Sequence, residues 1–213
     1  MFDFKCQRCG ECCKRYYVVS LPDEITKQAS VFGITEAEFI KEKTQLYLSL
    51  FPAEYKEDSL VVNSSLLPKR IYHAIRNRLG HEQDFFLAMP LIAFLKQENG
   101  YCIFFDAKNP GCGIYSERPL ECRLFPFVSL NNGVDYKKMY SFCQGLNFKD
   151  EKLSYADLSP VHFRRIKNYF ESIQRDGIEK VIQAMPLQGI VVLEDKLVGE
   201  ISKDEIKELF SML

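Results

Sequence analysis

The chain contains no tryptophan and three histidines among its 213 residues, and its formal net charge is −1. Such a balanced charge provides no general attraction to nucleic acid or to anionic lipid, so we expect neither as a partner. The longest apolar stretch, residues 85–95, contains Pro90 and is too short to cross a bilayer. The first residues, MFDFKCQRC, lack the apolar core of a signal peptide. We therefore expect a cytoplasmic protein with no membrane partner.

Familiar catalytic motifs are also missing. The sequence contains no GxSxG motif, P-loop or dinucleotide-binding fingerprint. His81-Glu-Gln-Asp-Phe85 begins like a metalloprotease helix but lacks the second histidine. We expect His73, His81 and His162 to be surface or core residues, because cysteine already supplies enough metal ligands. Whether the protein is an enzyme stays open at this point.

Cysteine, by contrast, is abundant: the chain has eight, four of them within the first thirteen residues. In a reducing cytoplasm, thiolates packed this closely are metal ligands more often than disulfide partners. A chain of this length with 46% hydrophobic residues can build a core without such staples, which also favours a chemical role. Eight thiolates are enough for two four-coordinate sites or one larger cluster. The predicted metal ligands are Cys6, Cys9, Cys12, Cys13, Cys102, Cys112, Cys122 and Cys143.

The spacing of the first cysteines is compatible with two kinds of metal. Cys-x2-Cys lets both sulfurs reach one Zn²⁺ ion, and Cys-x2-Cys-x2-Cys holds three irons of a 4Fe–4S cubane in bacterial ferredoxins. One partition gives Cys6, Cys9, Cys12 and one remote cysteine to one centre. Cys13, whose side chain we expect to point elsewhere, would join the remaining three in a second centre. The compact run favours an iron–sulfur cluster over zinc, and both stay open.

The neighbours of the cysteines are consistent with bound thiolates. Gly10, Gly111 and Gly113 allow tight turns that aim backbone N–H groups at sulfur. Glu121 is interpreted as an outer hydrogen-bonding residue or a surface residue. Basic residues that could offset the thiolate charge are Lys5, Arg8, Lys14, Arg15, Arg118 and Arg123. Aromatic residues that could shield the centre from water are Phe104, Phe105, Tyr115, Phe125 and Phe127.

These features together resemble a cysteine-cluster family, described as zinc- or iron-chelating, whose hallmark is CxxCxxCC near the N-terminus. The second block of the resemblance is Cys112-Gly-Ile-Tyr115-Ser-Glu-Arg118-Pro119-Leu-Glu-Cys122-Arg123-Leu-Phe-Pro126, with Cys102 upstream and Cys143 downstream. The likeness covers roughly residues 1–48 and 101–145 and includes all eight cysteines. It implies that all eight are ligands of a metal or iron–sulfur centre in a small mixed α/β domain. Flagellin lysine N-methylases share the cysteine pattern but are considerably longer chains.

Turn and capping signals predict an α+β fold, a small antiparallel sheet of hairpins that carries the metal centre between N- and C-terminal helices. Residues 1–15 are predicted to form a loop, and helices are expected to start at Pro22 and Thr35 and to end at Gly33 and about Leu48. Further helices are predicted over 69–79, after Pro160 and after residue 202. Hairpin turns are predicted at 97–100 and 131–133. We expect a metal-binding domain over 1–150, with an insertion over 49–84, and a mainly helical extension over 151–213 packed on it.

Three functions are compatible with these patterns. The first is a metal-binding protein with an iron–sulfur or zinc centre and a redox or cluster-dependent role. The second is an enzyme that modifies protein side chains, similar to a lysine N-methylase, with the cysteine centre near its active site. The third is a structural zinc module that presents an interaction surface. A protein partner or protein substrate fits any of them, and the sequence does not identify one.

Overall fold

The computed structural model describes residues 2–54, 60–125, 138, 140–148, 160–176, 178–194 and 196–211. Within these ranges the protein is α+β, as predicted, and contacts along the chain divide it into two compact units. Unit 1 comprises residues 1–34 and 94–168, and unit 2 comprises residues 35–93 and 169–213. The domain boundaries expected from the sequence, at residues 84 and 150, stay a prediction.

The two units are assembled from short helices and strands. The described strands are β1 (Phe2–Phe4), β2 (Val19–Ser20), β3 (Thr44–Ala53), β4 (Val61–Asn63), β5 (Phe85–Phe94), β6 (Phe105–Asp106), β7 (Gly111–Cys112), β8 (Leu146–Phe148), β9 (Gln188–Leu193) and β10 (Lys196–Ser202). The described α-helices are α1 (Glu11–Arg15), α2 (Pro22–Phe32), α3 (Glu36–Lys43), α4 (Lys69–Leu79), α5 (Leu120–Leu124), α6 (Pro160–Asp176), α7 (Ile178–Gln183) and α8 (Lys203–Ser211).

Unit 2 is built on a sheet in which β3 lies between β9 and β5. Strand β9 pairs parallel with β3 and antiparallel with β10, and β4 pairs antiparallel with β5. Gly189 of β9 is in register with Leu46, and a Cβ at this glycine would overlap the Leu46 carbonyl. Glycine is therefore needed where these two backbones approach each other.

Strand β3 corrects one prediction. We expected α3 to continue to about Leu48, but it ends at Lys43, where β3 begins. Consecutive residues Leu46, Tyr47 and Leu48 are all buried, so both faces of the strand are covered. Such a strand has a continuous apolar run instead of strict alternation, and periodicity alone does not distinguish that run from a buried helix.

Helix ends predicted from capping residues are confirmed in several places. Helix α2 begins at Pro22 and ends before Gly33, which has the left-handed φ of 64° that glycine tolerates. The Thr35 hydroxyl accepts a hydrogen bond from the Glu38 N–H (3.2 Å), and Glu38 accepts one from the Thr35 N–H (2.8 Å). Helix α4 has the bounds predicted for it, Lys69–Leu79.

Unit 1 contains all eight cysteines but has short strands in its described part. Strand β1 pairs with β8, and β6 pairs with β7, each as a two-stranded antiparallel ladder. Of the eight cysteines, only Cys112 lies in a described strand, so the predicted sheet of hairpins does not carry the group. Residues 1–15, predicted as a loop, contain helix α1 with Cys12 and Cys13.

The two predicted hairpin turns have different outcomes. The turn at 97–100 is present: the Gln97 N–H donates to the Tyr101 carbonyl (2.7 Å), and Lys96 and Cys102 form an isolated antiparallel bridge. Its second arm is not a regular strand until Phe105. The turn predicted at 131–133 lies outside the described residues.

The C-terminal helix α8 begins after residue 202, as predicted, with a capping box at Ser202, and it is held by an ion pair. Glu205 accepts from the Ser202 N–H (2.9 Å) and receives two hydrogen bonds from the Arg70 guanidinium (2.6 and 2.7 Å). The hydrogen bonds from Arg70 and, to a smaller extent, the one from the Ser202 N–H lower the pKa of Glu205 to about 2. The hairpin of β9 and β10 precedes this helix, in a region expected to be mainly helical.

We expect Glu205→Gln to lower the free energy of unfolding at neutral pH by about 1 kcal/mol, near the upper end for a partly exposed pair. The folded pKa of Glu205 lies below its unfolded value, so the stabilisation is present above about pH 4.5 and is lost as the pH falls towards 2. Urea unfolding across this range should therefore show the two proteins converging in acid. Glu208→Gln, on the same helix, is the matched control, and a difference that is constant with pH would contradict the assignment.

Candidate metal centre

The N-terminal cysteine run folds through a sharp turn into helix α1. Arg8 and Gly10 both have left-handed backbone angles, with φ of 54° and 79°. A Cβ at Gly10 would overlap the ring of Phe105, so the turn depends on glycine for both conformation and space. Cys6 and Cys9 precede the helix, whereas Cys12 and Cys13 lie within it.

Cys102 is held beside Cys13 by backbone and side-chain hydrogen bonds. The Cys102 N–H donates to the Cys13 carbonyl (2.9 Å). The Lys96 ammonium donates to the carbonyls of Cys13 (2.6 Å) and Lys14 (3.0 Å), which places a cation at the negative end of α1. The Gln97 amide donates to the Cys102 carbonyl (2.9 Å). Sequence reasoning missed both Lys96 and Gln97.

Cys112 and Cys143 are held by short backbone ladders. Cys112 ends β7, in register with Phe105 of β6. Cys143 precedes β8, and the Lys5 N–H donates to the carbonyl of Gly145 (2.9 Å), two residues beyond it. The ladder of β1 and β8 therefore brings the Cys143 segment beside the start of the cysteine run.

Cys122 lies on helix α5, whose first residues are fixed by the buried side chains of α2. The Glu24 carboxylate accepts from the Leu120 N–H (2.7 Å), from the Leu21 N–H (3.1 Å) and from the Arg165 guanidinium (2.8 Å). Gln28, also on α2, donates to the Glu117 carbonyl (3.3 Å). Glu24 and Gln28 lie on the same buried face of α2 as Ile25 and Ala29. A polar residue at a position where the helix pattern expects an apolar one is the one sequence signal that could have identified them.

Glu121 has a structural partner in this region. Its carboxylate accepts a hydrogen bond from the Val19 N–H (2.7 Å), which ties α5 to β2 within unit 1. Its charge also raises the pKa of the neighbouring Cys122 thiol, after burial, which is the larger cause. The interpretation of Glu121 as an outer hydrogen-bonding residue is thus compatible with its position.

Backbone N–H groups are aimed at several of the sulfurs with the same spacing. The Arg8 N–H lies 3.4 Å from the Cys6 sulfur, two residues earlier. In the same way, the N–H groups of Phe104, Ile114 and Gly145 each hydrogen-bond the sulfur of the cysteine two residues earlier. Each of these bonds lowers the pKa of the thiol, but burial raises it by more. The cysteines concerned are Cys102, Cys112 and Cys143. Hydrogen bonds of this kind stabilise thiolate and orient it for a metal.

The eight thiols form one electrostatically connected group. A hydrogen bond with the Cys13 side chain, together with burial, raises the pKa of Cys12 far above its usual value. After burial, the charges of Cys12, Cys9 and Cys6 raise the pKa of Cys143. Burial is likewise the main cause that raises the pKa of Cys102 to about 11. How the eight cysteines divide between centres stays a prediction.

The donor chemistry of this group fits zinc or iron. None of the eight cysteines is in a disulfide, and seven are partly exposed. Within the part of the chain that the structure describes, no three Cys, His, Asp or Glu side chains converge closely enough to hold one ion. Binding a metal therefore requires the thiols to lose their protons and draw together. The positive charge of the metal would stabilise the thiolates, which burial and mutual repulsion destabilise.

Most of the basic residues expected to offset thiolate charge lie on aromatic rings. Arg8 and Arg118 are both stacked on Tyr115, with guanidinium carbons 4.5 and 3.9 Å from the ring centre. Arg118 also lowers the pKa of Cys112, although burial raises it by more. Lys96 lies close to the thiols as well: burial lowers its pKa, and the charges of Cys102, Cys13 and Cys12 raise it by less.

The aromatic residues expected near the cysteines are partly confirmed as packing residues. Phe104 and Phe105 are buried, and Phe104 makes an edge-to-face contact with Phe94 at 4.7 Å. Tyr115 is 38% exposed, and Phe127 lies outside the described residues. Among the histidines, His73 and His81 are exposed, as expected for surface residues, and the side chain of His162 is not described.

A comparison with known protein families identifies the cysteine-rich part of the chain. A family model described as "CxxCxxCC: Putative zinc- or iron-chelating domain" matches residues 5–144. The chain belongs to this family, and the resemblance inferred from the cysteine pattern is confirmed.

A similar curated protein is an uncharacterized protein of Methanocaldococcus jannaschii, 40% identical over 77 residues. The match covers 32% of this chain and 42% of the length of that relative. No solved structure matches the chain. Among the described helices, none is both long and apolar enough to span a membrane.

The hydrogen bonds of Glu24 predict a specific loss of stability. We expect Glu24→Gln to lower the free energy of unfolding by about 1.5–3 kcal/mol, because a buried, charge-assisted bond to Arg165 is lost. Asp23 also pairs with Arg165 but is 67% exposed, so Asp23→Asn should cost no more than about 1 kcal/mol. Chemical denaturation of both variants in the same metal state provides the comparison. Equal losses would show that the buried Glu24–Arg165 bond contributes no more than the exposed Asp23–Arg165 pair.

Proposed function

We propose that this protein is an iron–sulfur protein whose eight cysteines are thiolate ligands for clusters of the 4Fe–4S type, with a redox or cluster-dependent role. The observation that carries the proposal is the connected group of eight unpaired thiols in unit 1. Thiolate sulfur is the ligand that both iron–sulfur clusters and zinc prefer. Family membership supports metal chelation in general and leaves the choice between these metals to other evidence.

Two features of the cysteines favour a cluster. The run Cys6, Cys9 and Cys12 has the compact spacing that bacterial ferredoxins use to hold three irons of a cubane. Seven of the eight cysteines are partly exposed, which suits a centre that exchanges electrons or is itself transferred. Backbone N–H groups directed at sulfur are among the means by which proteins adjust the reduction potential of such clusters.

The free state of all eight thiols also suits a reducing compartment, which supports a cytoplasmic location.

A structural zinc module is the second candidate, and one contact favours it. The Arg8 N–H approaches the Cys6 sulfur two residues before it, with Cys9 following one residue later. Cys-x2-Cys turns of this kind hold zinc in many small domains. In that case the metal would contribute folding free energy, and the role of the protein would depend on its surface.

Elemental analysis and an absorption spectrum of protein purified without oxygen distinguish the two candidates. We expect iron, acid-labile sulfide and a broad absorbance near ~400 nm, as thiolate-ligated clusters show. Cys9→Ser and Cys122→Ser should each lower the iron content, because each removes a ligand. His73→Ala, which changes an exposed histidine, is the matched control and should retain the metal.

Two other results have definite meanings. A colourless protein with stoichiometric zinc would replace the cluster with the structural module. Protein that takes up neither metal when reconstituted under reducing conditions would overturn metal binding itself.

A further inference from the structure

We infer that Lys96 and Gln97 are positioning residues of the metal centre. Through hydrogen bonds to backbone carbonyls, their side chains hold the end of helix α1 against the loop that begins at Cys102. The inference rests on the proposed function, because it needs a metal bound by the cysteines. It adds two residues outside the cysteine pattern on which retention of that metal depends.

Lys96 acts on the end of helix α1. Its ammonium donates to the carbonyls of Cys13 (2.6 Å) and Lys14 (3.0 Å). The last carbonyls of a helix have no N–H partner within the helix, so they need donors from elsewhere. A helix of five residues also has little stability of its own, and its position therefore depends on such contacts.

The Cys13 carbonyl accepts two hydrogen bonds at once. The Lys96 ammonium supplies one, and the Cys102 N–H supplies the other (2.9 Å). Lys96 and Cys102 also face each other in an isolated antiparallel bridge. The helix end, the Lys96 segment and the Cys102 segment therefore meet at a single carbonyl, which we call the Cys13–Cys102 junction.

Gln97 holds the loop on the other side of this junction. Its amide nitrogen donates to the carbonyls of Phe105 (2.7 Å) and Cys102 (2.9 Å), and the Ile103 carbonyl lies farther away at 3.4 Å. A glutamine amide has two N–H donors, so the two shorter bonds use both. The Asn99 side chain donates to the amide oxygen of Gln97 (3.4 Å), which agrees with this orientation of the amide.

The backbone of the turn fixes both side chains in place. The Gln97 N–H donates to the Tyr101 carbonyl (2.7 Å), and the Gly100 N–H donates to the Gln97 carbonyl (2.8 Å). Gly100 has a left-handed φ of 84°, which glycine adopts without strain. Lys96 and Gln97 thus project from a closed turn, so their donors are positioned before any metal binds.

Phe105 extends the effect of Gln97 to two other cysteine segments. It is the register partner of Cys112 in the ladder of β6 and β7. Its ring also fills the space beside Gly10, in the turn of the N-terminal run, where a Cβ would overlap it. A shift of the loop held by Gln97 would therefore move the surroundings of cysteines from both blocks of the sequence pattern.

Lys96→Met tests this role through the rate at which bound metal is released to EDTA. Methionine keeps most of the length of the side chain but lacks the ammonium. We expect release about 10- to 100-fold faster, the usual cost of losing a partner that orients the ligands. Lys96→Arg should restore most of the retention, because a guanidinium also donates to carbonyls. Lys108→Met, at an exposed lysine of the same unit, is the matched control and should match the wild type.

Gln97→Glu and Gln97→Met separate the direction of the hydrogen bonds from the volume of the side chain. Glutamate has nearly the shape of glutamine but places an oxygen against the carbonyls of Cys102 and Phe105. Methionine leaves the same carbonyls without a donor and adds no repulsion. We therefore expect faster metal release from both variants, and the larger increase from Gln97→Glu. Gln7→Glu adds the same charge at an exposed glutamine and should release metal as the wild type does.

Amide hydrogen exchange in the metal-free protein tests the Cys13–Cys102 junction itself. We expect the Cys102 N–H to exchange about tenfold faster in Lys96→Met, because a charge-assisted bond to the same carbonyl is lost. Circular dichroism of each metal-free variant shows whether it folds, so that loss of metal is not confused with loss of structure.

Three results would contradict parts of this account. Unchanged exchange in Lys96→Met would show that the junction stands without Lys96, and would overturn the inference. Faster exchange with unchanged metal release would also overturn it, because Lys96 would then be a structural contact only. Wild-type protein that takes up no metal under reducing conditions would instead overturn the proposed function, and the exchange rates would still show whether Lys96 holds the junction.

Discussion

Ionising one thiol in this group makes it harder to ionise the next, although burial is the larger cause of the raised pKa at Cys102, Cys112, Cys122 and Cys143. Burial adds to it, because a thiolate removed from water loses solvation that the protein must replace. The replacement comes from backbone N–H groups two residues beyond four of the cysteines and from the Lys96 ammonium. These groups offset the effect of burial only in part, since burial still raises the pKa of the Cys102 thiol to about 11. A bound cation is the charge that would complete the balance.

Buried polar side chains of α2 help to set the position of Cys122 within unit 1. Glu24 and Gln28 on α2 hold the chain that leads into α5, and α5 carries Cys122. Arg165 completes the hydrogen bonding of Glu24, so that the buried carboxylate is paired. The cysteines supply the chemistry, whereas Glu24 and Gln28, which are distant from Cys122 in sequence, help to set its position. Such residues have no motif of their own, which is why the cysteine pattern alone does not reveal them.

Local signals in the sequence predicted the local structure well. Helix starts were located by the capping residues Thr35 and Ser202, which satisfy backbone N–H groups a few residues away. Pro22 located another, because a proline suits the first turn of a helix.

Predictions failed where distant segments decide the outcome. Strand β3 was taken for helix because its continuous apolar run reflects burial by neighbouring strands. The pairing of β1 with β8 spans almost the whole of unit 1, and no local pattern indicates it.

X-ray absorption spectroscopy at the edge of the bound metal tests most directly whether the cysteine thiolates are the ligands. The account predicts a first shell made of sulfur alone, at about 2.3 Å as in thiolate sites. For an iron–sulfur centre, an iron–iron distance beyond that shell would accompany it. A first shell dominated by oxygen or nitrogen would contradict the account, because the metal would then be held by side chains other than the eight cysteines.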